Sequence, residues 1–147
     1  MSTRQWTILV TDGAGFIGSA LVRQLVRETE HLVVNIDKLT YAGNLESLGE
    51  SVSAANYRFE QAVVCDRVQM ARQFESYRPD AVVHLAAETH VDRSISCDTH
   101  FVQTNVIGTA TLLAGSLKAD VQRFVQVSTD EVYGELPWVD PENDHSS

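Results

Sequence analysis

The stretch Thr7-Ile8-Leu9-Val10-Thr11-Asp12-Gly13-Ala14-Gly15-Phe16-Ile17-Gly18-Ser19-Ala20 passes from a short apolar run, through three closely spaced glycines, into a segment with Ile17, Leu21, Val22, Leu25 and Val26 at helical spacing. Strand, glycine turn and helix in that order make a phosphate loop. The glycines let the backbone turn tightly and approach a pyrophosphate, which would rest on the unpaired N–H groups at the positive end of the helix. A glycine triplet alone is weak evidence. Here Asp37 stands at the end of the next apolar run, about 20 residues on, where a carboxylate can accept hydrogen bonds from a ribose diol. A carboxylate there repels a 2′-phosphate and favours NAD over NADP, while Lys38 beside it works the other way.

Working outward, apolar runs at 6–10, 32–36, 57–64, 81–86 and 123–127 read as buried parallel strands. Between them, helical spacing recurs at 17–26, 68–74 and 101–117, and Arg78-Pro79-Asp80 reads as a turn. Residues 44–56 read as loop with a short helix. Strands alternating with helices imply right-handed βαβ crossovers, hence an α/β fold of the doubly wound, Rossmann-like kind.

The 147 residues suit one domain, and 44% hydrophobic composition supplies a core. A formal net charge of -9 with no Lys/Arg cluster argues against nucleic acid as a partner. Cys65 and Cys97 lie far apart without a CxxC, and the N-terminus carries no basic-then-apolar signal, which suggests a reducing cytoplasm. No apolar run approaches the roughly 20 residues that span a bilayer.

A second signal follows the fifth run: Ser128-Thr129-Asp130-Glu131-Val132-Tyr133-Gly134. In an open parallel sheet, ligands bind beyond the carboxyl ends of the strands, where such a triplet can supply acid, base and polarising hydroxyl. A polar strand-end turn would use the same residue types. His84 and His90 invite a metal reading, but without a Cys or His partner at ligand spacing they read as core or loop residues.

Together with Asp37-Lys38-Leu39-Thr40-Tyr41-Ala42-Gly43-Asn44 and His84-Leu85-Ala86-Ala87-Glu88-Thr89-His90-Val91-Asp92-Arg93-Ser94, these motifs resemble the dTDP-glucose 4,6-dehydratase family of the extended short-chain dehydrogenase/reductases. The resemblance covers residues 8–134. It implies an NAD-dependent lyase acting on a nucleotide sugar, dTDP-glucose foremost, in which C4 of the hexose is oxidised, water is lost across C5–C6 and hydride returns to C6. Carried over residue by residue, it places Gly13, Gly15, Phe16, Ile17 and Gly18 at the pyrophosphate. Asp37, Lys38, Leu39 and Thr40 fall at the adenosine ribose, Val63 and Val64 at the adenine edge. Leu85, Ala86, Ala87, Thr89 and Thr104 fall at the nicotinamide half. Thr89 and Thr129 would touch the hexose, with Asp130 as acid and Glu131 as base, and no metal is implied. Residues 101–117 would contribute to a homodimer interface.

The chain departs from the family pattern at two positions. Asp12 stands where the family has glycine, and Val63 where it usually has an aspartate. Asp12 adds negative charge near the pyrophosphate at a turn that wants positive φ, and Val63 removes an adenine acceptor. The family's Tyr-x-x-x-Lys pair and most of its substrate domain lie beyond residue 147, so residues 1–147 read as an incomplete NAD-binding domain, the N-terminal portion of a longer enzyme, expected to be inactive alone. Two alternatives stay open: a dehydratase or epimerase for another nucleotide sugar, and a non-catalytic NAD-binding module.

Overall fold

The computed structural model describes residues 4–39, 45–88 and 101–134. Five strands, β1 (Thr7–Thr11), β2 (Leu32–Asp37), β3 (Tyr57–Gln61), β4 (Ala81–His84) and β5 (Arg123–Gln126), form one sheet in the order β3-β2-β1-β4-β5. All four pairings are parallel, with Val10 opposite Asn35 on one side and Val83 on the other. Helices α1 (Phe16–Glu28), α2 (Arg67–Tyr77) and α3 (Thr109–Lys118) supply the crossovers.

Alternation along the strands divides the core into two layers. Ile8, Val10, Val33, Tyr57 and Ala81 pack with Val22 of α1 and Leu48 of the 3-10 segment Leu45–Ser53. Leu9, Val34, Ile36 and Val82 face Met70 and Phe74 of α2 and Leu112 of α3. Building begins at β1, proceeds to β2 and β3, then crosses back to β4 and β5, so the strand order reverses between β1 and β4. A crevice opens at the carboxyl ends of the strands at such a switch point.

β3 and β4 are shorter than their apolar runs suggest. Ala62 N–H still bonds Asp37 O at 3.2 Å, but the chain then turns, with Asp66 N–H on Val63 O at 2.9 Å. Asp66 next caps α2 by accepting from Val68 and Gln69 N–H at 2.9 and 3.0 Å. Beyond His84, Leu85 and Ala86 N–H leave the ladder for the Thr11 hydroxyl, both at 3.1 Å. The expected 101–117 helix is present but not uniform, for Gln103–Gly108 widens into π-helical turns before α3 begins. Such insertions re-aim side chains and cluster at functional sites.

Among the described residues nothing pairs with the outer edge of β5, where Val125 is 50% exposed; Leu113 and Leu117 of α3 are also exposed. An open parallel edge beside apolar surface is a template for association. The isolated 147-residue chain is therefore expected to self-associate in sedimentation velocity runs as concentration rises; a sharply melting monomer at all concentrations would contradict this.

Candidate functional site

The crevice at the carboxyl ends of the strands is a cleft of about 380 Å³. Asp12, Gly15, Phe16 and Ile17 line it after β1, Ile36, Asp37 and Lys38 at the end of β2, and Ala62, Val63 and Val64 after β3. Leu85, Ala86, Ala87 and Glu88 line it after β4, facing Thr104 of the π-helical turns, and Val127 closes it after β5. A larger groove of about 530 Å³ runs between α2 and α3 over Met70, Phe74 and Ala114, but neither the glycine loop nor a strand end reaches it.

The cleft's most chemically distinctive wall is the start of α1. Gly15 is the N-cap in extended conformation, and no side chain caps the helix, which leaves first-turn N–H groups directed at the cleft. Phe16 is 93% exposed at the mouth. Gly13 and Gly18 do not line the cleft; they allow close packing beneath it. A Cβ at Gly18 would lie 2.0 Å from the Asp12 carbonyl oxygen, and one at Gly13 would lie 2.3 Å from Asn35 Oδ1.

Asp37 is 4% exposed, although it was expected to present its carboxylate to a ribose. Its Oδ2 accepts from Ala14 N–H at 3.0 Å and its Oδ1 from Leu39 N–H at 2.8 Å. The carboxylate thus tethers the glycine loop to β2 at the wall of the cleft. Leu39 itself turns away with φ +52°.

Asp12 adopts φ +56°, as a residue replacing a turn glycine must. Its half-buried carboxylate folds over Gly15, with Oδ2 only 2.5 Å from where a Gly15 Cβ would stand. Burial raises its pKa to about 6; Asp37 and Glu88 add to the rise and Lys38 opposes it. Lys38 Nζ meets Glu88 Oε1 at 2.5 Å, an ion pair that joins the β2 and β4 sides of the cleft. The Glu88 backbone is held in turn by Asn105, which donates to its carbonyl at 3.0 Å and accepts from its N–H at 2.8 Å.

Beneath the cleft floor, His84 is fully buried between two hydroxyls, Thr11 at 2.8 Å and Thr109 at 3.0 Å. Because Thr11 Oγ1 already accepts from Leu85 and Ala86 N–H, its proton points to His84 Nδ1. Nε2–H then donates to Thr109, whose hydroxyl donates to Asn105 O at 2.8 Å. Burial accordingly lowers the imidazole pKa to about 4. The ring is a neutral cross-brace between the two hydroxyls.

Thr129 is exposed just past β5, and a single 3-10 turn, Asp130–Tyr133, follows at the same end of the sheet as the cleft. The side chains of Asp130 and Glu131 fall outside the described structure, as do residues Thr40 and Thr89. Sequence reading missed the Asp37 tether, the Glu88–Asn105 clasp and Val127. Lys38 and Glu88 are opposite charges, but their separation of 50 positions gives no local signal.

A family model described as GDP-mannose 4,6 dehydratase matches residues 9–146. The chain belongs to the GDP-mannose 4,6 dehydratase family. Within it, dTDP-glucose 4,6-dehydratase of Neisseria meningitidis serogroup B is 55% identical over 142 residues, covering 90% of this chain and 40% of that protein. The crystal structure of DesIV, a dTDP-glucose 4,6-dehydratase from Streptomyces venezuelae with NAD and TYD bound, superposes with TM-score 0.82 at 45% identity, covering 90% and 42%. UDP-glucose 4-epimerase of Thermotoga maritima, solved with UDP-glucose, superposes with TM-score 0.80 at 38% identity, covering 92% and 42%. The chain spans about 40% of the length of the curated relatives it matches.

Proposed function

We propose that residues 1–147 are the dinucleotide-binding portion of an NAD-dependent nucleotide-sugar 4,6-dehydratase, a lyase converting dTDP-glucose to dTDP-4-keto-6-deoxyglucose and water. One observation carries the reading. The uncapped N-terminus of α1 opens at the β1/β4 switch point onto a cleft with Asp37 at one end and Leu85, Ala86 and Ala87 at the other, and Thr129-Asp130-Glu131 follows the neighbouring strand. Those residues fit NAD: N–H groups for the pyrophosphate, a carboxylate for a ribose diol and an apolar floor for the rings. The dinucleotide, when bound, would take up and return the hydride.

The chain's own residues would supply the rest. Phe16 and Ile17 would cover the pyrophosphate, Lys38 would flank the adenosine ribose, a role the family resemblance also assigns to Thr40, and Val63 and Val64 would border the adenine. Thr104, which lines the cleft, would stand at the nicotinamide side, and the family resemblance assigns Thr89 to the same role. Thr129 polarises the C4 oxygen, Glu131 takes the C5 proton, and Asp130 gives its proton to the departing C6 hydroxyl. That division requires two carboxyls of different proton affinity. In this reading the complete enzyme is a cytoplasmic homodimer; among the described residues, no helix is long and apolar enough to cross a membrane.

The test is to incubate the full-length gene product with dTDP-glucose and, separately, with UDP-glucose. The 4-keto-6-deoxy product from dTDP-glucose, without net change in NAD+, is the expected result. Epimerisation of UDP-glucose without loss of water would replace this reading with that of an epimerase, the activity named for the Thermotoga maritima relative.

A further inference from the structure

Three acidic residues line the cleft, and while Asp37 accepts from Ala14 and Leu39 N–H and Glu88 is paired with Lys38, Asp12 lies beside the helix cap that would receive the anion. Its carboxylate lies over the helix cap that a pyrophosphate would approach, set there by a left-handed backbone and filling the space that a Gly15 Cβ would need. The charged groups facing it are Asp37 and Lys38 from the end of β2 and Glu88 from the segment after β4. Lys38 is already paired with Glu88, so its cation does not serve Asp12 alone. Asp37, the remaining neighbour, is an anion tied to Ala14 and Leu39.

We infer that Asp12 couples dinucleotide binding to proton uptake: the carboxylate competes as an anion with the pyrophosphate, and the complex forms with Asp12 protonated. The inference rests on the dinucleotide reading above and adds a determinant that the glycine loop alone lacks. In the free protein the carboxyl, raised by burial and by Asp37, gives up its proton as pH rises through about 6. A bound pyrophosphate adds negative charge beside it and strengthens its hold on that proton. Affinity is therefore highest below pH 6 and falls as pH rises, by up to about tenfold per unit for a single linked proton. The fall ends where the bound form also deprotonates.

The experiment is calorimetric titration of the full-length gene product with NAD+ from pH 5.5 to 8, repeated in buffers of different ionisation enthalpy. Wild type is compared with Asp12→Asn, which removes the charge and keeps a residue tolerant of positive φ, and with Asp12→Gly, which also removes the turn strain. Circular dichroism verifies that each is folded. Wild type is expected to lose at least about tenfold in affinity across this range and to take up close to one proton per NAD+ near pH 7.5. Both variants should bind more tightly at pH 8 with flat profiles and no proton uptake. A flat wild-type profile, or a slope persisting in both variants, overturns the role of Asp12 and leaves the dinucleotide reading intact. Folded protein that binds no NAD+ at any pH, in all three forms, overturns both.

Discussion

On the proposed dehydratase reading, Asp130→Asn and Glu131→Gln, introduced into the full-length protein, are expected to leave hydride removal from C4 in place and to stall the loss of water. Both residues sit on the short turn that follows β5, one strand from the cleft wall formed by Leu85, Ala86 and Ala87. Oxidation at C4 needs neither carboxyl, whereas elimination needs one to remove the C5 proton and one to protonate the leaving hydroxyl. Loss of a positioned general acid or base costs about 10²–10⁴-fold. The signature is reduced dinucleotide absorbance accumulating without 6-deoxy product. Exchange of deuterium into C5 separates the roles, failing in Glu131→Gln and continuing in Asp130→Asn. Near-normal dehydration in both variants would reduce the acidic pair to a polar turn.

His84→Ala is expected to cost about 2–5 kcal/mol, because it removes a fully buried ring and leaves the Thr11 and Thr109 hydroxyls short of partners. The same residue gives the fold an acid limb. In the unfolded chain the imidazole takes a proton as pH falls below about 6.5. In the folded chain it resists until about 4. Its contribution is therefore fully present above pH 6.5 and is lost as pH falls towards 4, up to about 3 kcal/mol. Asp12 works in the opposite sense. Its folded carboxyl holds a proton up to about pH 6, so its contribution falls as pH rises between its ordinary value of 3.8 and 6. Denaturant midpoints measured from pH 4 to 7 in an Asp12→Asn background remove the opposing carboxyl. Adding His84→Gln should flatten the limb, and an undiminished acid slope would show that other groups carry it.

The glycine loop, the strand and helix order and the position of Asp37 were legible because they depend on local chemistry. A turn needs glycine, and buried parallel strands need continuous apolar runs. The same logic overextended β3 and β4. Val63, Val64, Leu85 and Ala86 are apolar because they line the cleft, and hydrophobicity does not distinguish a cleft wall from a buried strand. The widening at Gln103–Gly108 left no periodic trace in so short a segment. His84 could be read as a core residue from its position, but its tautomer follows from Thr11 and Thr109, which only the fold brings to it. Asp37 reads from the sequence as an acceptor for a ribose, whereas its bond to Ala14 N–H depends on how β1 and β2 are aligned.

That bond bears on how this site could be redesigned. In many nucleotide-binding folds, cofactor choice is treated as exchangeable: the acidic residue after the second strand is swapped for a neutral or basic one, and a phosphorylated ribose is then admitted. Here the carboxylate that would meet the ribose also anchors the loop that would hold the phosphates. Substituting Asp37 would release both Ala14 and Leu39, so a switch of cofactor would loosen the pyrophosphate cradle in the same stroke. Preference could be altered only together with a replacement acceptor for the Ala14 amide, which makes cofactor identity in this chain a property of two strands rather than of one residue.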